Sequence, residues 1–135
     1  MREIEFRVWD KSAKFYILLD DKELFLNNNG LYERKTVPYM GDEYNNVSDQ
    51  YILEQYTGLK DKNGVKVFEG DIVSGFNNRM IVFYHDTRAM FALDYITDNA
   101  TGKIAAPYDD WCEYTVIGNI HQHPELLKQT AASND

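Results

Sequence analysis

Two histidines, His121 and His123, stand two positions apart near the end of the chain. On an extended segment such a pair shares a face, and imidazole is a common zinc ligand. A tetrahedral site needs more donors, and no third ligand follows from local spacing. His123 also precedes Pro124, where it can serve as a helix cap instead. His85 stands beside Asp86 in a turn-like stretch. Cys112 is the single cysteine, between Asp110 and Glu113 and next to Trp111. Neighbouring negative charge makes a thiol a poor nucleophile, so a small, semi-buried apolar role fits it better. Asp109, Asp110 and Glu113 could supply an acid–base pair, as could Glu69 with Asp71. Adjacent carboxylates are common in an acidic chain, and a solvated loop is their default. No G-x-S-x-G, P-loop or G-x-G-x-x-G pattern is present. The residues therefore point to binding rather than catalysis, with no cofactor.

Tyr32, Tyr39, Tyr44, Tyr51 and Tyr56 fall in one short window. Tyrosine joins apolar area to a polar tip and is enriched in interface cores. Tyr32, Tyr39, Tyr44 and Tyr51 are thus the candidate protein–protein or self-association surface. The competing reading puts half of these rings in the core and scatters the rest. Only Arg34 and Lys35 flank the group, whereas aromatic platforms for single strands pair their rings with many cations.

The chain has 135 residues, 14 lysines and arginines against 22 aspartates and glutamates, and a net charge of −8. Residues 68–135 hold 4 of the basic and 10 of the acidic side chains. Affinity for nucleic acid comes largely from neutralising phosphates, so direct DNA or RNA binding is disfavoured. Solubility explains the charge most simply, and a basic protein partner is the functional counterpart. A nucleic-acid-associated role, or mimicry of nucleic acid by an acidic surface, is the alternative. A metal protein or enzyme built on His121 and His123 is a second one. One cysteine cannot form a disulfide within the chain, and residues 1–10 lack an apolar leader. A reducing, cytoplasmic setting with no membrane contact is the expectation.

Positioning these side chains falls mostly to strands. Ile4, Phe6 and Val8 alternate with charged residues, and Trp9 ends that strand on the opposite face. Phe15–Leu19 and Leu24–Leu26 are short apolar runs, the latter closed by an asparagine-rich turn at Gly30. Residues 33–49 are polar and interrupted by Pro38 and Gly41, which predicts a loop with at most a short edge strand. Asn63-Gly64 is a turn signal that leads into Val65 and Val67. Gly70-Asp71 breaks the chain before Ile72-Val73. Met80–Tyr84 and Met90–Ile96 form a hairpin, nearly continuous in apolar residues, which predicts cover on both faces. After a polar loop over 97–110, a last strand runs from Tyr114 to Ile120, and Pro124 opens a short helix through Lys128. The expected fold is all-β. Residues 1–57 supply strands and a loop, residues 58–128 a small SH3-like or partly open barrel, and residues 129–135 a flexible tail.

Three segments resemble one family. They are Arg2–Asp10, then Gln55–Gly64 running on to Phe68–Val73, and finally Val116–Ile120 with Pro124–Leu127. In this order and spacing the chain resembles the YopX-like proteins of phages and prophages, over nearly its whole length. The resemblance implies a mostly-β protein of a phage or prophage acting in a bacterial cytoplasm. It implies no catalytic residues, because no activity is assigned to that family. The shared residues Trp9, Gly58, Asp61, Gly64, Gly70, Asp71, Gly118 and Asn119 read as architecture. Gly58, Gly64 and Gly70 sit at predicted turns, the two aspartates can accept backbone N–H bonds, and Trp9 and Tyr56 pack on one another or on the last strand. The partners expected are a second copy of the chain and a basic host or phage protein.

Overall fold

The computed structural model describes residues 3–19, 23–75, 78–96, 104–105 and 113–127. The chain is all-β and divides into two compact units. One comprises Glu5–Glu54; the other comprises the chain from Gln55 onward together with the residues before Glu5. No helix among the described residues is long and apolar enough to cross a membrane.

In the first unit, β1 (Phe6–Asp10) pairs antiparallel with β2 (Phe15–Ile17), setting Val8 opposite Ile17 and Trp9 opposite Tyr16. Asp10 makes the connecting turn, accepting the N–H groups of Ser12 and Ala13 at 3.0 Å. β3 (Leu24–Asn27), β4 (Gly30–Val37) and β5 (Gly41–Asn46) follow as a three-stranded antiparallel meander. Val8, Ile17, Leu24, Leu31 and Val47 are buried together, with Tyr51 and Leu53 packed on them. Each fully buried aliphatic side chain stabilises the fold by about 1.5–3 kcal/mol. The alternation expected from Ile4 is truncated: Val8 is buried, whereas Ile4 lies outside the strand and is 64% exposed.

The hairpin of β4 and β5 corrects the loop expected over 33–49. Apolar alternation cannot reveal it, because every residue of β5 is exposed. Ladder bonds and turn chemistry define it instead. Met40 N–H donates to Val37 O at 3.1 Å, Pro38 is second in that turn, and Tyr39 is third at φ 67°. This is a type II turn with a tyrosine where glycine is usual.

In the second unit, the distal half of β6 (Tyr51–Lys60) pairs with β7 (Lys66–Phe68). Five residues of β6, from Tyr56 to Lys60, answer three of β7, and Gly58 at φ 90° sits in the resulting bulge. Gly58 is therefore inside a strand, not at a turn as expected. The Thr57 hydroxyl donates to Val67 O at 2.8 Å and accepts Leu59 N–H at 3.2 Å, satisfying the backbone where the ladder slips.

β8 (Asp71–Gly75), β9 (Asn78–His85), β10 (Met90–Tyr95), β11 (Ile104–Ala105) and β12 (Thr115–Asn119) form one antiparallel sheet. Its order is β11-β10-β9-β8-β12, a curled and open half-barrel. Val67, Val73, Met80, Val82 and Leu93 fill its core. The cover on both faces expected of Met80–Tyr84 and Met90–Ile96 is met at the centre of β10, where Ala92 and Leu93 are buried in succession. On β9 burial alternates, and Tyr84 is exposed. The terminal helix is a single 3-10 turn, Pro124–Leu127. The tail over 129–135 and most of the loop over 97–110 lie outside the described residues.

Candidate functional site

The tyrosine window separates into three environments. Tyr51 is half-buried against the first core, and burial, with the charges of Asp10 and Glu33, raises its phenol pKa. Tyr56 is buried and packs on Phe68, with ring centroids 5.5 Å apart. The remaining three belong to the meander. Register alternation puts Leu24 and Leu31 on its core face and Phe25, Tyr32 and Tyr44 on its outer face. Phe25 lies directly opposite Tyr32, stacked at 5.9 Å, and meets Tyr44 edge-on at 5.9 Å. Arg34 stands opposite Tyr44 and bonds Glu23 at 3.0 Å. That bond, the Glu23 charge and the Asp42 charge raise the Arg34 pKa. Glu23, Leu24, Phe25, Arg34 and Tyr44 border a cleft of about 430 Å³.

Tyr39 projects from the hairpin tip fully exposed, beside Met40 at 84%. A left-handed backbone costs a non-glycine residue about 1–2 kcal/mol. The ring gains no burial within the chain to offset that cost.

The shared polar residues are engaged with backbone. Asp61, 5% exposed, accepts Asn63 N–H and Val65 N–H through Oδ1 at 2.8 and 2.9 Å, and Val116 N–H through Oδ2 at 2.9 Å. Burial raises its pKa, but the bonds from Val116, Val65 and Asn63 outweigh burial, and Lys62 helps, so the net shift is downward. Gly64, at φ 83°, closes the same turn with its N–H on Asp61 O. Asp71 Oδ2 accepts Phe68 N–H at 2.8 Å, spanning the β7–β8 turn at Gly70. Asn119 Oδ1 accepts His121 N–H and Gln122 N–H at 3.1 and 2.8 Å.

That last turn changes the geometry assumed for the histidines. Residues 120–122 wrap around Asn119 instead of extending, and His123 Nδ1 accepts Asn119 N–H at 3.2 Å. Gly118 makes room for the imidazole, since a Cβ there would stand 2.6 Å from His123 Nδ1. Among the described residues, no group of three or more His, Cys, Asp and Glu is placed to hold a metal ion. Glu113 is exposed. Asp109, Asp110 and Cys112 lie outside the described residues.

Sequence reasoning missed one cluster. Glu54, 4% exposed, accepts Arg7 Nε at 2.9 Å and the Tyr16 hydroxyl at 2.8 Å on the same oxygen. The Arg7 guanidinium lies 4.5 Å over the Tyr16 ring, whose edge-to-face neighbour at 5.0 Å is Trp9. Trp9 thereby joins a cation–π and aromatic stack within its own unit. No sequence signal links Arg7 to Glu54 across 47 positions.

The arrangement has a counterpart among solved structures. The crystal structure of protein EF1440 from Enterococcus faecalis is 25% identical to this chain, with a TM-score of 0.61. The match covers 95% of this chain and 100% of that one. No curated protein matches. A protein-family model described as YopX protein matches residues 5–128, across both units and every shared polar residue discussed above. The chain belongs to the YopX family.

Proposed function

We propose that this protein is a phage- or prophage-encoded accessory protein that acts by binding, not catalysis, and that it self-associates through the β4–β5 hairpin. One observation carries the reading: Tyr39 holds a strained backbone while its ring lies wholly in solvent. Strain of this kind points to a use outside the fold. The Phe25–Tyr32–Tyr44 ladder continues the apolar surface along the outer face, and the adjacent cleft offers a receiving surface. A two-fold pair sets one patch against its own copy, which suits a surface bearing both a projecting tip and a cleft. The occupied acceptors of Asp61 and Asn119 support an architectural role for the shared residues.

Sedimentation velocity over a concentration series tests this. The wild-type chain is expected to associate, and Tyr39→Gly is expected to shift it toward monomer while remaining folded. A wild-type chain that stays monomeric at every concentration overturns the proposal.

A further inference from the structure

The core face of the half-barrel ends at an unusual pair. Met80, Val82 and Leu93 are buried along it. The next cross-strand pair on that face is Tyr84 with Phe91, edge to face at 5.3 Å. Phe91 still packs on the core, whereas Tyr84 is 42% exposed. Here the apolar face opens into a cavity of about 740 Å³. That volume lies within the usual range of ligand sites, about 300–1,000 Å³.

Two carboxylates share this cavity with the rings. Glu69 comes from the β7–β8 turn and Asp86 from the β9–β10 loop, and Gln55 and Met90 complete the wall. Gln55 N–H donates to Glu69 Oε1 at 2.8 Å, and Glu69 N–H donates to Gln55 O at 3.0 Å. This reciprocal pair fixes the Glu69 carboxylate beside β6. Asp86 opens a four-residue loop that closes at Ala89, φ 51°. No lysine or arginine is among the described lining residues.

We infer that this cavity binds a cationic side chain, an arginine presented by a basic protein partner. Aromatic surface beside carboxylates is the chemistry that recognises guanidinium. The rings and the methionine sulfur meet its plane, and the carboxylates accept its fork of N–H donors. An anion is repelled here, and an apolar group would strip water from two carboxylates without replacing it. Lysine supplies the charge but no plane to stack. The net negative charge of residues 68–135, with 4 basic against 10 acidic side chains, likewise favours a cationic partner. This site lies in a different unit from the hairpin and rests on separate observations.

The test is an NMR titration of the isotopically labelled full chain with acetyl-Gly-Gly-Arg-Gly-Gly-amide. Lysine and citrulline versions of the peptide serve as comparisons, citrulline keeping the shape without the charge. Shift changes are expected at Tyr84, Phe91, Glu69 and Asp86, strongest with arginine, weaker with lysine and least with citrulline. Joint Glu69→Gln and Asp86→Asn substitution is expected to weaken arginine binding about fivefold, as two partly exposed ion pairs would. Glutamine at 69 keeps an acceptor for Gln55 N–H. Citrulline binding as well as arginine, changes located elsewhere, or none at millimolar peptide overturn the inference. Equal affinity for lysine overturns the choice of arginine.

Discussion

Asp61 Oδ2 receives the N–H of Val116 at 2.9 Å, joining the β6–β7 turn to β12 across 55 positions. Its other oxygen organises the turn itself. Asp61→Ala leaves three N–H donors without their acceptor and is expected to cost about 2–4 kcal/mol in urea unfolding. Asp61→Asn is the sharper probe. One amide oxygen can serve either the turn or Val116, never both, so a loss of about 1–2 kcal/mol is expected.

The same carboxylate gives stability a pH dependence. Its folded pKa is lowered, so the folded state favours the ionised form. The stabilisation is complete above the unfolded aspartate pKa, about 3.9. It drains away as pH falls through the lower folded value. Urea midpoints of the wild type should therefore fall more steeply below pH 4 than those of Asp61→Asn. Parallel curves would remove Asp61 from the account.

Two left-handed residues that are not glycine invite relief of strain. Tyr39→Gly and Ala89→Gly each remove a backbone penalty of about 1–2 kcal/mol. The freer unfolded chain returns about 0.4–1 kcal/mol of that. Thermal midpoints are expected to hold or rise slightly for both variants. Only Tyr39→Gly should alter self-association.

Glu54 is the most exposed to damage by truncation. Glu54→Ala leaves the Arg7 guanidinium and the Tyr16 hydroxyl without their shared acceptor. A loss of about 3–5 kcal/mol is expected by chemical denaturation, as for other broken buried pairs. Adding Arg7→Met should recover part of it, because the cation that Glu54 accepted is then removed along with its acceptor.

Gly118→Ala sets a methyl group against the His123 ring. A destabilisation of about 1–3 kcal/mol is expected. His123→Ala should restore space for that methyl group, so the double variant should lose less than the two single losses added together. Strict additivity would show that the ring is not the obstacle.

The all-β class was legible because apolar runs such as Met80–Tyr84 are short and bounded by turn residues. The turn at Asn63-Gly64 was legible because its chemistry is local: Asp61 bonds residues two and four positions on. Local signals failed in three places. β5 has no buried residue, so its strand character lies only in pairing with β4. Gly58 reads as a turn residue, yet it marks a bulge that only the β7 register defines. The histidines read as an extended pair because the Asn119 side chain that bends residues 120–122 competes silently with strand continuation. At the candidate sites, tyrosine enrichment drew attention to the hairpin but could not rank its rings. The Tyr84–Phe91 cavity draws on three separate stretches of sequence, at Gln55, at Glu69 and over residues 84–91, and no one of them is distinctive.

Because the unit of Glu5–Glu54 is nested in sequence within the other, the order of synthesis matters. Glu3 leaves the ribosome 63 positions before Lys66, with which it forms an ion pair. At about 5–20 residues per second, that is a delay on the order of several seconds. The nested unit has its whole sequence available during that interval. The enclosing unit must recapture its own first residues once β7 begins to appear. Vectorial translation thus favours assembly from the inside outward, an order that refolding from denaturant does not impose.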